Sequence, residues 1–358
     1  MNRDETIQLI DPPDGSHTEP LQQHPFPTGP SDATESASNF TWNALQVVSP
    51  DRSLPRPVRL SWHRLGWSWR ATSYEVILGR TPSLTTDIQV FRDITHAWVD
   101  IWHLYIGTTY YWKVIAKRAG HIVAASDTRS FTTDTKPPRW IRVPGITNAR
   151  DIGGWPIGDD RVIHQGKVYR SSEMNGRLQL AERGRRVLID ELGIKTDLDL
   201  RSESEQAAPA LPSERVTWIH APISPYDCIS DAAFRDDYLK IFRVFADPSH
   251  YPILFHCVGG ADRGGTVAFL LNGLLGKAYE HLMVDYELTT LSVWGERSRF
   301  SDQFTALLNT LSTFADDPHD LHTQVENYLL SIGMMHEELA TIRHELIGQR
   351  SEYTALAE

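Results

Sequence analysis

The chain has 358 residues, 41% of them apolar, and a formal net charge of −11 at pH 7. It is long for one domain and comfortable for two, with enough apolar side chains to bury a core. The acidic balance points away from a general nucleic-acid binder, and the sequence has no apolar run of about 18 residues that would cross a membrane.

The N-terminal stretch MNRDETIQLIDPPDGSHTEP lacks the apolar core of a signal peptide, so a cytoplasmic location is expected. Two cysteines, Cys228 and Cys257, make neither a disulfide framework nor a zinc site, and no metal or other cofactor is expected. Residues 1–40 are rich in Asp, Glu, Ser, Thr, Pro and His with few large apolar residues, which predicts a disordered tail.

From 41 to 135 short runs of β-favouring residues alternate with turn residues. They are Val58–Trp62, Ser73–Leu78, His96–Val99, Thr109–Ile115 and Thr128–Thr132. Strands at this spacing without helical periodicity predict an all-β sandwich. The segment Thr108-Thr-Tyr-Tyr-Trp-Lys-Val114 resembles a strand of fibronectin type III domains, and Leu60-Ser-Trp62 resembles another. The resemblance implies that Tyr110 makes a side-chain bond at the corner of the sandwich and that Trp112 packs its core. Trp62, Trp67 and Trp69 are expected in the core or at a domain interface, with a platform for a glycan or protein partner as the alternative.

Lys136-Pro-Pro-Arg139 reads as a stiff linker, and beyond it the texture from 138 to 358 becomes α/β. The expected elements are a helix over 177–192 stopped by Gly193, strands over 196–200 and 216–219, and a helix over 236–245. A buried strand over 252–256, an apolar helix over 266–275, and two helices over 321–347 broken at Gly333 complete the set.

Between the strand and the apolar helix lies His256-Cys-Val-Gly-Gly-Ala-Asp-Arg-Gly-Gly-Thr266. Strand, glycine-rich loop and helix together aim backbone N–H groups at an anion and add the positive helix N-terminus. A cysteine in that field ionises readily, with a pKa lowered to roughly 3.5–7.5. Arg263, six positions on, offers a planar fork for two phosphate oxygens. A nucleophile, an anion cradle and a clamp suit phosphoryl transfer through a cysteinyl phosphate.

This loop resembles that of bacterial protein tyrosine phosphatases of the atypical, lipid-phosphatase-like group, whose pattern is H-C-x-x-G-K-D-R-T-G. Three further stretches resemble that family's motifs: Asn148-Ala-Arg-Asp-Ile-Gly-Gly154, Val168-Tyr-Arg-Ser-Ser172 and Gly193-Ile-Lys-Thr-Asp-Leu-Asp-Leu-Arg-Ser202. The resemblance covers about 215 residues from Arg142 onward. It implies a three-layer α/β domain with a mainly parallel sheet, and a metal-independent phosphomonoesterase acting on phosphorylated protein or another phosphomonoester.

In these terms Cys257 is the nucleophile and Arg263 binds phosphate. The loop residues Val258, Gly259, Gly260, Ala261 and Gly264 line the phosphate. His256 orients the loop and tunes the thiolate, or merely satisfies a core hydrogen bond. Arg150 and Asp151 brace the loop. A general acid is also needed; Asp227 is the first candidate, Asp262 the second and Asp231 the third. Cys228 is either a partner that traps an oxidised Cys257 or a small apolar filler.

Two positions depart from the family pattern. Ala261 stands where the family has lysine, which argues against highly phosphorylated lipid substrates. Gly264 stands where a hydroxyl residue helps the cysteine leave, which predicts slow breakdown of the phosphoenzyme. Phosphotyrosine in proteins is the expected substrate. A phosphoinositide or inositol phosphate phosphatase, and a phospho-binding pseudophosphatase, are the alternatives.

Overall fold

The structure is a computed structural model that describes residues 6–23, 50–64, 73–205, 207–317 and 319–353. It has two compact units. The first takes residues up to Leu21, Pro55–Pro137 and the chain from Arg350 on. The second takes Gln22–Leu54 and Pro138–Gln349.

The first unit contains β1 (Ser16–His17), β2 (Val58–Ser61), β3 (Ser73–Gly79), β4 (Ile88–Ile94), β5 (Trp98–Ile101), β6 (Thr109–Arg118), β7 (His121–Ala125) and β8 (Arg129–Thr132). A larger sheet runs in the order β1-β8-β6-β3-β4, with β7 also paired to β6, and β2 pairs with β5 separately. β6 shows why the alternation was legible. Tyr110, Trp112, Val114 and Ala116 point inward, every second residue, and meet Val76, Leu78 and Phe131. By contrast β4, which the sequence pattern did not announce, buries none of its residues fully and so carries no clean period.

Residues 6–23 depart from the expected tail. Ile7, Leu9 and Leu21 are buried in this unit's core, Leu9 bridges to Trp62, and β1 runs parallel to β8. Ile7 and Leu9 are spaced two apart, a strand signal too short to stand out from its polar surroundings. The remainder of the expected tail, and Trp67 and Trp69, lie outside the described residues. Trp62 is 1% exposed and so serves the core rather than an open platform.

The second unit is built on a five-stranded sheet. Its strands are β9 (Arg150–Asp151), β12 (Val168–Ser171), β13 (Thr196–Asp199), β14 (Thr217–His220) and β15 (Ile253–His256); β10 (Pro156–Ile157), β11 (Arg161–Ile163) and β16 (Ile347–Gln349) form a small antiparallel sheet. The order is β14-β13-β15-β12-β9, parallel throughout except for the short β9. Every residue of β12, β13 and β15 is buried, as expected for strands covered on both faces.

The helices are α1 (Glu182–Arg186), α2 (Arg235–Phe245), α3 (Arg263–Leu274), α4 (Tyr279–Glu287), α5 (Asp302–Ser312), α6 (Leu321–Ser331) and α7 (His336–Leu346). α3 is buried from Gly264 to Leu274, which is why it reads as apolar all round. The helix expected over 177–192 is shorter, starting at Glu182 and continuing as a wider turn over Val187–Glu191 before Gly193 at φ +67°. α4 and α5 were not expected. No helix among the described residues is long and apolar enough to cross a membrane.

Candidate active site

At the C-terminal end of β15 the chain leaves the sheet, forms a loop from Cys257 to Asp262, and enters α3 at Arg263. The loop's carbonyl groups are tied backward. The Asn148 side-chain amide donates to Gly259 O at 3.1 Å and Gly260 O at 3.2 Å, Arg170 Nη2 donates to Gly260 O at 2.7 Å, and Glu173 N donates to Val258 O at 3.0 Å. With the carbonyls occupied behind, the peptide N–H groups are left to face the other way, toward the cavity.

Gly260 makes the turn possible. It has φ +62°, and a Cβ there would stand 2.3 Å from Ser171 O.

The braces are themselves locked. Arg150, fully buried, donates to Asn148 Oδ1, to Asp285 Oδ1 at 3.0 Å and to Asp285 O at 2.9 Å. Asp285 also lies 3.7 Å from Arg170 Nη1 and from Lys277 Nζ. Burial alone would raise the Asp285 carboxyl, but these three cations hold it far below the usual carboxylate range. Asp151 accepts from Arg139 Nη1 at 2.7 Å and from the N–H groups of Gly153 and Gly166 at 2.8 and 2.6 Å. Neither Arg150 nor Asp151 lines the cavity in front of the loop.

In front of the loop is a cavity of about 270 Å³. Cys257, Val258, Gly259, Asp262 and Arg263 line it, with Cys257 only 2% exposed. Gly260, Ala261 and Gly264, also expected to line the phosphate, are not on its wall; Ala261 is buried at 1% exposure.

His256 is also away from the cavity. Its Nε2 lies 3.0 Å from Asp197 Oδ1 and its Nδ1 3.9 Å from Asp199 Oδ1. Burial lowers its proton affinity, but the two carboxylates outweigh that and hold the ring protonated more readily than usual.

Arg263 turns to Glu205, a residue the sequence reading did not single out. Nη1 meets Oε2 at 2.5 Å and Nη2 meets Oε1 at 2.8 Å. The N–H of Ser202 also donates to Oε2, at 2.9 Å. Against the effect of burial, this fork pulls the Glu205 carboxyl down to about 2. Glu205 lies three positions beyond the Asp-Leu-Asp-Leu-Arg-Ser motif, the one signal that could have pointed to it.

Of the three acid candidates, Asp262 is at the cavity. Asp227 is exposed on the Tyr226–Ser230 turn, and Asp231 caps the next turn by accepting from Ala233 N at 2.8 Å; neither lines the cavity. Instead Tyr226 turns inward, at φ +61°, with its N–H held by Thr266 Oγ1 at 3.0 Å. Its hydroxyl donates to Asp262 Oδ1 at 2.5 Å. Arg297, for which the sequence carried no signal, donates to both Asp262 oxygens at 2.9 and 3.1 Å. Thr266 Oγ1 donates in turn to Asp262 O at 3.0 Å. Cys228 is half-buried and not on the cavity wall.

No group of three or more His, Cys, Asp or Glu side chains among the described residues is arranged to hold a metal ion.

The chain is similar to several known proteins. A relative from Cupriavidus necator, described as a "putative tyrosine-protein phosphatase", is 30% identical over 168 residues, which cover 39% of this chain and 59% of that protein. Two solved structures of the Siw14 catalytic core also match. One, of the PP-IP phosphatase from S. cerevisiae, has 17% identity, a TM-score of 0.26 and coverage of 36% of this chain and 74% of that one. The other has 16% identity, a TM-score of 0.30 and coverage of 45% and 88%. The profile of the tyrosine phosphatase family matches residues 141–348, more than half of the chain, and the chain therefore belongs to the tyrosine phosphatase family.

Proposed function

We propose that this protein is a cysteine-dependent phosphomonoester hydrolase that works through a Cys257 phosphate, with phosphotyrosine in proteins as the substrate class. The observation that carries the reading is one cavity floor where Cys257, Arg263 and Asp262 meet at the N-terminus of α3, under a loop whose carbonyls are tied away from it. Cys257 Sγ attacks phosphorus, the loop amides and Arg263 take the equatorial oxygens, and Asp262 protonates the leaving oxygen. Tyr226 and Tyr286 give the wall an aromatic lining suited to a phenyl ester.

The charge balance favours a single phosphate over a polyphosphorylated ligand. The cavity's cations Arg177, Arg263 and Arg297 are matched by Glu205, Asp262 and Glu296, and two of the three arginines are already forked by carboxylates. An inositol carrying several phosphates needs surplus cations, which Ala261 does not supply.

The test is hydrolysis of phenyl phosphate in the presence of a chelator. Wild type is expected to turn over and Cys257→Ser to lose activity; full activity in Cys257→Ser rejects the reading.

We also infer that the first unit is fibronectin type III-like, on the support of the Tyr110 hydroxyl, which accepts from Tyr105 N at 2.9 Å, and of the fully buried Trp112.

A further inference from the structure

The Asp262 carboxylate has an unusual setting for a proton donor. Arg297 forks both oxygens, Tyr226 Oη donates to one of them, and Tyr286 of α4 reaches the same cluster through Tyr226 Oη at 2.9 Å. Arg263 is its chain neighbour on α3 and is engaged by Glu205; Cys257 at the end of β15 and Glu296 share the cavity wall. Of these groups, Arg297 alone is a cation in direct contact with Asp262. It also lines the cavity, so an entering phosphate meets the same guanidinium that holds the acid.

We propose that Arg297 is a substrate-released latch on the Asp262 proton: its fork keeps the carboxylate ionised in the free enzyme, and a bound phosphate draws the guanidinium to itself and lets Asp262 take up a proton. This rests on the reading of Asp262 as the general acid.

The physical reason is competition for one donor set. A guanidinium forks a phosphate as readily as a carboxylate. Once it turns, burial and the nearby dianion favour the protonated form, and only the Tyr226 hydroxyl and the neighbouring Arg263 still oppose it. The depressed proton affinity of Asp262 agrees: burial works to raise it, and Arg297 leads the groups that overcome this.

The proton balance closes without a further reactant. A monoester entering as the monoanion, or solvent, gives its proton to Asp262. The Cys257 thiolate supplies the electron pair of the new S–P bond, the P–O bond breaks, and the leaving oxygen takes the Asp262 proton. A water molecule then attacks the phosphoenzyme, returns a proton to Asp262, and frees inorganic phosphate and the thiolate.

The experiment is a carbon-13 NMR titration of the Asp262 carboxyl in the full chain, with and without saturating inorganic phosphate, in wild type, Arg297→Gln and Arg297→Lys. Phosphate is expected to raise the wild-type midpoint by about one unit or more, a tenfold change in proton affinity. Arg297→Gln should start high and move much less. Arg297→Lys, which keeps the charge, should start low again, separating loss of charge from a disturbed loop. An equal phosphate-induced shift in wild type and Arg297→Gln overturns the latch. Failure of the underlying reading looks different: Asp262→Asn would keep full activity on phenyl phosphate, or Cys257→Ser would.

Discussion

Arg263 and Glu205 are joined by a two-bond fork, at 2.5 and 2.8 Å, that fixes the guanidinium in the plane from which it meets the cavity. A planar fork loses little freedom per bond, so the carboxylate pre-orients the arginine before any phosphate arrives. Glu205→Gln should weaken this orientation and lower kcat/KM for phenyl phosphate about tenfold, ~1.4 kcal/mol, mostly through KM.

The same pair predicts a pH dependence. Because the Glu205 carboxyl is lowered in the folded state, to about 2, its contribution to stability is fully present above the ordinary carboxylate range. It is lost as pH falls toward 2. The difference in stability between wild type and Glu205→Gln should therefore be constant near neutrality and shrink in acid, as thermal unfolding across pH 2–6 would read.

Gly264 offers a gain-of-function test. A Cβ there would lie 3.9 Å from both Cys257 Sγ and Phe255 Cε2, ordinary contact distance, so a serine fits without displacing the loop. Wild type is expected to show a burst with p-nitrophenyl phosphate because breakdown of the phosphoenzyme lacks a hydroxyl. Gly264→Ser should raise kcat several-fold and shrink the burst; rapid-mixing kinetics would read both.

Gly260 is the opposite case. Its φ of +62° costs an L-residue about 1–2 kcal/mol, and the 2.3 Å approach of the added Cβ to Ser171 O forces backbone to move. Gly260→Ala should lower Tm and abolish oxyanion binding together. Unchanged binding of inorganic phosphate would show that the loop does not depend on this turn.

Lys277 is buried with no hydrogen-bond partner, its Nζ 3.6 Å above the Trp155 ring and 3.7 Å from Asp285. Burial, together with Arg150 and Arg170, outweighs Asp285 and lowers its pKa to about 7. Its folded pKa lies below the unfolded one, so the penalty is full below pH 7 and is relieved as pH rises toward 10.5. Lys277→Met should raise Tm more at pH 6 than at pH 9.

In the first unit, Tyr110→Phe removes the hydrogen bond from Tyr105 N, a cost of ~1 kcal/mol in chemical denaturation.

The linear order of residues was enough to determine the strands with inward alternation, such as β6, and the apolar helix α3. It was also enough for the turn stops at Gly193 and Gly333 and the loop carrying Cys257 and Arg263, because each rests on neighbours within a few positions. It did not reveal Ile7 and Leu9 as core, since two apolar residues make no period. Glu205, Tyr226 and Arg297 were decided only by tertiary structure. They come from separate loops 21 to 92 positions apart in the chain, and a side chain's role there depends on which charge the fold sets opposite it. The choice among the acid candidates follows the same rule: Asp227 and Asp262 are alike as carboxylates in sequence, and only folding carries one of them to the cavity while leaving the other in solvent.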